Sequence, residues 1–315
     1  MSNESFTNLR RVDKLNFSKG TLENILKLWD LSGIPVLVYE NPDLESLVTV
    51  FGASKDGIPV HAVVFNPSFG RKPDYDICFD CEVLIRFFTN QPDKRFINVF
   101  SINGKEEVEK ALRFPGGAAS KFQLEEKDIV KFRETILDDL LSRLFKVPIG
   151  LRVSDYICAK FPDMKEFEED SIREELAYFL GFHHDAEVIR DIPLIVSHPL
   201  GIIDAAQPLY WSEKYREPEI FQPYRLLGFV EDAQILMDLY EQTPKDPIYD
   251  DILIDKWAKQ LGISDWYYWE PYNPPPQIVQ SSKSTVCHAN DMHMDLEVMV
   301  MFIVGDALRV IDNNC

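Results

Sequence analysis

The chain has 315 residues, 45% of them hydrophobic, and its 52 acidic side chains outnumber 33 basic ones to give a net charge of −19. Residues 1–150 carry 20 Lys and Arg against 22 Asp and Glu, whereas residues 151–315 carry 13 against 30, a local net charge of −17. This distribution disfavours nucleic-acid binding, which needs basic side chains to neutralise phosphates, and it predicts a cationic partner.

Targeting signals and cysteine usage indicate the compartment. The N-terminal residues show no basic stretch followed by an apolar run, so we expect no secretory signal. The longest nearly uncharged apolar stretch, Val298–Val304, is far shorter than the roughly 20 residues that a membrane helix needs. Five cysteines, an odd number, favour reduced thiols over a disulfide framework. We therefore expect a soluble cytoplasmic protein with no membrane partner.

The first half predicts an α+β domain over residues 1–150. A helix at Thr21–Leu31 has its apolar residues on one face. Strand-like segments follow and predict an antiparallel sheet of about five strands: Pro35–Tyr39, Leu47–Phe51, Ile58–Phe65, residues 76–87 and Phe96–Ile102. Turn residues at Ala53–Gly57 predict a hairpin between the second and third of these strands. Two covering helices are predicted at about Lys105–Leu112 and Leu124–Phe145, and Pro148 is expected to end the second. Such an order is typical of a two-layer fold.

The second half, residues 151–315, predicts a mixed and mainly helical domain. Helices are expected from about Asp163, at Phe229–Tyr240 and at Asp250–Leu261, with a strand at Ile192–Val196. A β-hairpin is predicted at the end of the chain, where Gly305 and Asp306 suit a tight turn between two apolar runs. A single C-terminal helix is the alternative for these runs, because short apolar segments fit both periods.

Aromatic rings accompany carboxylates at two places in the acidic half. The candidate binding residues are Trp211, Tyr215, Glu217, Trp266, Tyr268, Trp269 and Glu270. Rings of this kind contact Lys and Arg side chains, and carboxylates pair with them at the rim of an interface. The alternative is that the rings hold irregular loops onto the core. The leading hypothesis is a non-enzymatic adaptor, chaperone or neutraliser that binds a basic protein.

A second hypothesis is a metal-dependent hydrolase. Cys287–Asp295 gathers a thiol, two imidazoles and two carboxylates in nine residues, and His288, Asp291 and His293 are the candidate ligands of a divalent metal such as zinc. Because the spacing matches no established metal motif, a plain polar loop is favoured and no cofactor is expected. The chain also lacks the glycine-rich phosphate motifs and the serine nucleophile elbow.

Cys78 and Cys81 have the spacing of half a zinc knuckle or of a redox pair. There is no second cysteine pair to complete a zinc site. On the predicted strand the two side chains point to opposite faces, since side chains alternate along a strand. Core packing of Cys81 and an edge position for Cys78 are therefore expected.

Overall fold

The structure, a computed structural model, describes residues 10–12, 17–44, 46–54, 58–115, 117–184 and 192–275. The described residues divide into two compact units. Unit 1 contains the residues up to Arg95 together with those from Pro271 onward, and unit 2 contains Phe96–Glu270. The chain is α+β, with a small mixed sheet in unit 1 and a mainly helical unit 2.

Unit 1 is built on a four-stranded sheet with the strand order β1-β2-β4-β3. The strands are β1 Arg10–Arg11, β2 Val36–Glu40, β3 Val48–Phe51 and β4 His61–Phe65. β2 and β4 are parallel, with Val36 opposite His61, whereas β1 and β3 run antiparallel to their neighbours. Every residue of β4 is buried, which is typical of an inner strand.

Two helices, α1 Lys19–Ser32 and α2 Asp74–Thr89, pack against each other and onto this sheet. The Ser18 side chain caps α1 by accepting a hydrogen bond from the Thr21 N–H. Gly33 ends the helix with φ 69°, a left-handed conformation that glycine adopts without steric cost. These signals make α1 one of the predicted helices that the structure confirms.

The core of unit 1 lies between the sheet and the two helices. It includes apolar side chains of both helices and of alternate positions on β2 and β4: Ile25, Leu28, Val36, Val38, Val63, Phe65, Ile77, Cys81 and Ile85. Alternate residues of a strand share one face, so one face of the sheet is buried against the helices. Burial of this apolar surface is the main force that folds the unit.

Residues 76–87 form part of helix α2, so the strand predicted there is wrong. The buried side chains of this segment are three or four residues apart, as a helix requires: Ile77, Cys78, Cys81, Glu82, Ile85 and Arg86. The same residues also alternate between apolar and polar along the chain, so their pattern fits the periodicity of a strand as well as that of a helix. Acidic residues in the first turn and Arg86 in the last also favour the helix through its dipole.

The sheet is mixed, and the antiparallel meander of about five strands does not form. The chain leaves the sheet after β4 because α2 follows it. The segment predicted at Phe96–Ile102 is confirmed as strand β5 Phe96–Phe100, but it pairs with β6 Tyr267–Pro271 in a separate two-stranded sheet. The predicted hairpin of β3 and β4 is confirmed by their antiparallel register.

Unit 2 is a bundle around one long helix. Its helices are α3 Ile102–Leu112, α4 Ala118–Lys121, α5 Glu126–Lys160, α6 Lys165–His184, α7 Leu194–Tyr215, α8 Gln222–Leu226, α9 Val230–Gln242 and α10 Asp250–Gln260. Helix α5 contacts α3, α6, α7 and α10, and α7 also packs on α9. The predicted helices at 105–112, 163 onward, 229–240 and 250–261 are confirmed, with ends shifted by a few residues.

Helix α5 continues through Pro148 to Lys160, so the expected stop at Pro148 is wrong. Proline removes one intrahelical hydrogen bond and disfavours the helix interior. The residues from Val147 to Ser154 are nevertheless buried without interruption. Packing on both sides of the proline therefore outweighs its local cost.

Residues 194–196 begin helix α7, so the strand predicted at Ile192–Val196 is also wrong. The helix is buried continuously from Pro199 to Leu209, and all-round burial is typical of a central helix. A Cβ atom on Gly201 would lie 2.3 Å from the ring of Phe229. Only glycine therefore permits this close contact between α7 and the residue that precedes α9.

The expected domain boundary at residue 150 falls inside helix α5. The compact units change at residues 95/96 and 270/271, and the division of the chain into domains 1–150 and 151–315 stays a prediction. The terminal β-hairpin predicted at 297–311 lies outside the described residues.

Candidate functional site

A surface cleft of about 240 Å³ lies between helices α7 and α9 of unit 2. Its lining residues are Tyr210, Glu213, Lys214, Gln234, Met237, Asp238 and Glu241. The α7 residues are three or four positions apart, and so are the α9 residues, so each helix presents one face to the cleft. The packing of α7 on α9 brings these two faces together.

Three carboxylates give the cleft a negative rim. Glu213, Asp238 and Glu241 are all exposed, and Asp238 accepts a hydrogen bond of 3.0 Å from the Gln234 amide. The carboxylates of Glu213 and Glu241 have no hydrogen-bond or ion-pair partner among the side chains that the structure describes. The rim therefore offers unneutralised acceptors to a cation.

Lys214, the one basic residue that lines the cleft, is already neutralised by two carboxylates. Its Nζ lies 3.1 Å from Glu168 Oε1 and 3.3 Å from Asp155 Oδ1. The same ammonium sits 4.4 Å from the centre of the Trp211 ring, with the rings of Tyr210 and Tyr215 at 5.7 and 6.0 Å. The chain thus surrounds its own lysine with rings and carboxylates, an arrangement that stabilises a cation.

Glu168 on α6 is fully buried, and four groups satisfy it. The hydroxyl of Ser154 donates to Oε1, and the hydroxyl of Tyr215 donates to Oε2 at 2.8 Å. Lys214 and the thiol of Cys158 complete the set. A buried carboxylate persists only where it is paired and hydrogen-bonded in this way, so Glu168 ties α6 to α5 and α7.

Asp155 forms the outer part of the same network. It accepts a hydrogen bond from the Tyr210 hydroxyl and lies 3.4 Å from Lys245 Nζ. Burial raises the pKa of Tyr210, and the bond to Asp155 raises it further; burial and the bond to Glu168 do the same for the pKa of Tyr215. Both hydroxyls therefore stay protonated at neutral pH and act as hydrogen-bond donors.

Cys158 is also protonated at neutral pH. Burial, followed by its hydrogen bond to Glu168, raises the pKa of this thiol to about 12. The thiolate is the nucleophilic form of cysteine, so this side chain is suited to hydrogen bonding rather than to covalent chemistry. At the cleft itself, the exposed carboxylates can attract a cation.

The first set of predicted binding residues lies behind and beside this cleft. Trp211 is only 2% exposed, and its ring stacks on that of Tyr215 with a centroid distance of 5.7 Å. Both rings face the chain's own Lys214. Glu217 lies beyond the end of α7 and pairs with Arg173 at 2.9 Å. A direct contact of these residues with a partner stays a prediction.

The second set lies on β6 and at Trp266, the residue that precedes it, and no described contact joins this set to the cleft. Trp266 is 4% exposed and packs against Gly104, where a Cβ atom would approach the Trp266 Cβ within 2.9 Å. The indole of Trp269 donates to Asp255 at 3.0 Å. Tyr268 and Glu270 are exposed, and their predicted role in binding is likewise untested.

The candidate metal ligands His288, Asp291 and His293 lie outside the described residues. Within the described ranges, no group of three or more His, Cys, Asp or Glu side chains is arranged to hold a metal ion. Cys78 and Cys81 are both fully buried on one face of helix α2, so the edge position expected for Cys78 is wrong. This placement follows from the helical period of the segment.

The predicted binding residues did not include Glu213, Gln234, Asp238 or Glu241, which line the cleft. The signal is present in the sequence, because residues 234, 237, 238 and 241 follow the i, i+3, i+4, i+7 spacing of one helical face. The buried stripe of the same helix includes Ala233, Leu236 and Tyr240 and lies on the adjacent face. The spacing of residues along one helix does not show which other helix packs beside this face.

In the part of the chain that the structure describes, no helix is long and apolar enough to cross a membrane. No protein-family model, no curated protein and no solved structure matches the chain.

Proposed function

We propose that the protein binds a basic segment of a protein partner in the cleft between α7 and α9. The observation that carries the proposal is the rim of Glu213, Asp238 and Glu241 around a ring, Tyr210, and a thioether, Met237. Carboxylates attract a cationic side chain, and the apolar groups accept its hydrocarbon stem. The local charge of −17 in residues 151–315 supports the same partner class.

The network behind the cleft supports binding by holding one wall in place. Lys214 and Tyr210 are fixed on α7 by bonds to Asp155 and Glu168, so these two lining side chains are ordered before a ligand arrives. A preorganised site loses less conformational entropy on binding. The neutralised Lys214 also leaves the negative charge of the rim available to the ligand.

The proposal is tested by titrating the full chain with a peptide rich in Lys and Arg and measuring the heat of binding. We expect the affinity to fall as salt rises from about 0.05 to about 0.5 M, because attraction between exposed charges is screened over this range. A peptide with the same length and with Glu in place of each basic residue serves as the ligand control and should not bind.

Charge reversal locates the site. Glu241→Lys should weaken binding of the basic peptide by roughly tenfold, about 1.4 kcal/mol, since it replaces an attraction with a repulsion. Glu106 is an exposed residue of α3 in the same unit, so Glu106→Lys makes the same change in net charge away from the cleft. Equal loss in both variants, or an affinity that ignores salt, would show that the cleft is not the binding site.

A further inference from the structure

Three features of the cleft bear on which basic side chain it takes. A tyrosine ring, Tyr210, forms part of its lining, and the carboxylates stand on two different helices, Glu213 on α7 and Glu241 on α9. The third feature is Lys214, a cation that already belongs to the site. This inference rests on the proposed function and concerns the chemistry of its ligand.

Because Lys214 is neutralised within the chain, the hydration of the incoming cation distinguishes lysine from arginine in the cleft. Its Nζ is fixed by Asp155 and Glu168, and its side chain is 24% exposed. A lysine ammonium is a compact and strongly hydrated point charge, whereas a guanidinium spreads its charge over a plane and is more weakly hydrated. Loss of hydration in the cleft therefore penalises an incoming lysine more than an arginine.

The carboxylates of the rim suit a planar ligand with several donors. Glu213 and Glu241 have no partner among the described side chains, and Asp238 uses an oxygen to accept from Gln234. A guanidinium carries five N–H donors and forms paired hydrogen bonds with carboxylates. It also stacks on aromatic faces, and Tyr210 supplies a ring in the same cleft.

We infer that the cleft is selective for arginine over lysine. The guanidinium lies against Tyr210 and donates to the carboxylates of Glu213 and Glu241 on either side.

The experiment compares three peptides that differ at one position only: arginine, lysine and dimethylarginine. Dimethylation keeps the positive charge but blocks paired hydrogen bonding. We expect the arginine peptide to bind the full chain roughly fivefold more tightly than either of the others at the same salt. In Glu241→Gln this preference should fall below about twofold, whereas Glu106→Gln, on α3, should leave it unchanged.

The outcomes separate this inference from the proposed function. If the lysine peptide binds as tightly as the arginine peptide, and both lose affinity with salt, the arginine selectivity is wrong and binding of basic segments stands. If arginine is preferred but Glu241→Gln keeps the preference, the assignment to the cleft is wrong. If neither peptide binds, the proposed function itself is wrong.

Discussion

Lys214 and Glu168 form an ion pair of 3.1 Å in which the carboxylate is fully buried. The pair joins α7 to α6, and the further bonds of Glu168 to Ser154 and Tyr215 join both helices to one another and to α5. Trp211 and Tyr215, two of the predicted binding residues, have their rings around the chain's own Lys214. The surface that we propose for a partner is the acidic rim beside it.

Removing the charge of Glu168 should destabilise unit 2. We expect Glu168→Gln to lower the free energy of unfolding by about 3 kcal/mol, because it leaves Lys214 with a weaker buried partner. Urea unfolding followed by circular dichroism measures the change. Asp170→Asn on the exposed face of the same helix is the matched control and should change stability by less than about 0.5 kcal/mol. Equal effects would refute the role assigned to Glu168.

His61 should make unit 1 sensitive to acid. Burial lowers the pKa of this imidazole to about 4, against about 6.5 in an unfolded chain. Above pH 6.5 both states hold it neutral and the stability is complete. As the pH falls from about 6.5 to about 4, mainly the unfolded state takes up the proton, so the free energy of unfolding drops by about 3 kcal/mol.

Asparagine at this position separates the titration from the hydrogen bond. His61 Nδ1 accepts from the Ala53 N–H at 3.1 Å, and the amide oxygen of His61→Asn can accept the same bond without titrating. The difference in the free energy of unfolding between His61→Asn and the native chain should change as the pH falls from about 6.5 to about 4. His198→Asn, a change at an exposed histidine, is the matched control. A constant difference for His61→Asn would contradict the assignment.

The thiol of Cys158 should resist alkylation. With its pKa raised to about 12, we expect reaction with iodoacetamide near pH 8 to be at least about 100-fold slower than that of a free thiol. Mass spectrometry of the peptide containing Cys158 gives the rate, and the same peptide in urea supplies the control. Native-state labelling as fast as that in urea would show that the thiol is neither buried nor bonded to Glu168.

Asn24 should hold α1 and α2 in register. Its amide nitrogen lies 3.3 Å from the Cys78 carbonyl, 3.1 Å from the Cys78 sulfur and 3.3 Å from Glu82. Asn24→Ala should lower the free energy of unfolding by about 1–3 kcal/mol, since it leaves buried acceptors with fewer donors. Glu23→Ala, on the exposed side of α1, is the control. Indistinguishable unfolding midpoints for the two variants would argue against this contact.

The spacing of apolar residues predicted those helices and strands whose pattern fits only a helical or only a strand periodicity. The helices at 19–32, 230–242 and 250–260 and the hairpin of β3 and β4 were predicted with shifted ends. Helix α2 was missed because its letters fit a strand and a helix equally well, and only packing against α1 selects the helix. Helix α7 was missed because its prolines argue against a helix interior and its apolar run has no polar side.

The candidate site was predictable by composition but not by position. Acidic and aromatic residues of the second half indicated a surface for basic groups. Long-range contacts decide which rings are buried and which carboxylates stay without a partner. One such contact joins Lys214 to Glu168, 46 residues apart in the chain. Spacing along one helix gives no information on a pairing of that kind.

The most direct test of the account is a charge exchange between the cleft and its ligand. An arginine peptide and a glutamate peptide of the same length are titrated into the native chain, Glu241→Lys and the control Glu106→Lys. We expect the native chain and the control to prefer the arginine peptide, and Glu241→Lys to lose that affinity by roughly tenfold while gaining affinity for the glutamate peptide. Binding of the arginine peptide that is unchanged by Glu241→Lys would contradict the claim that this cleft holds a basic segment.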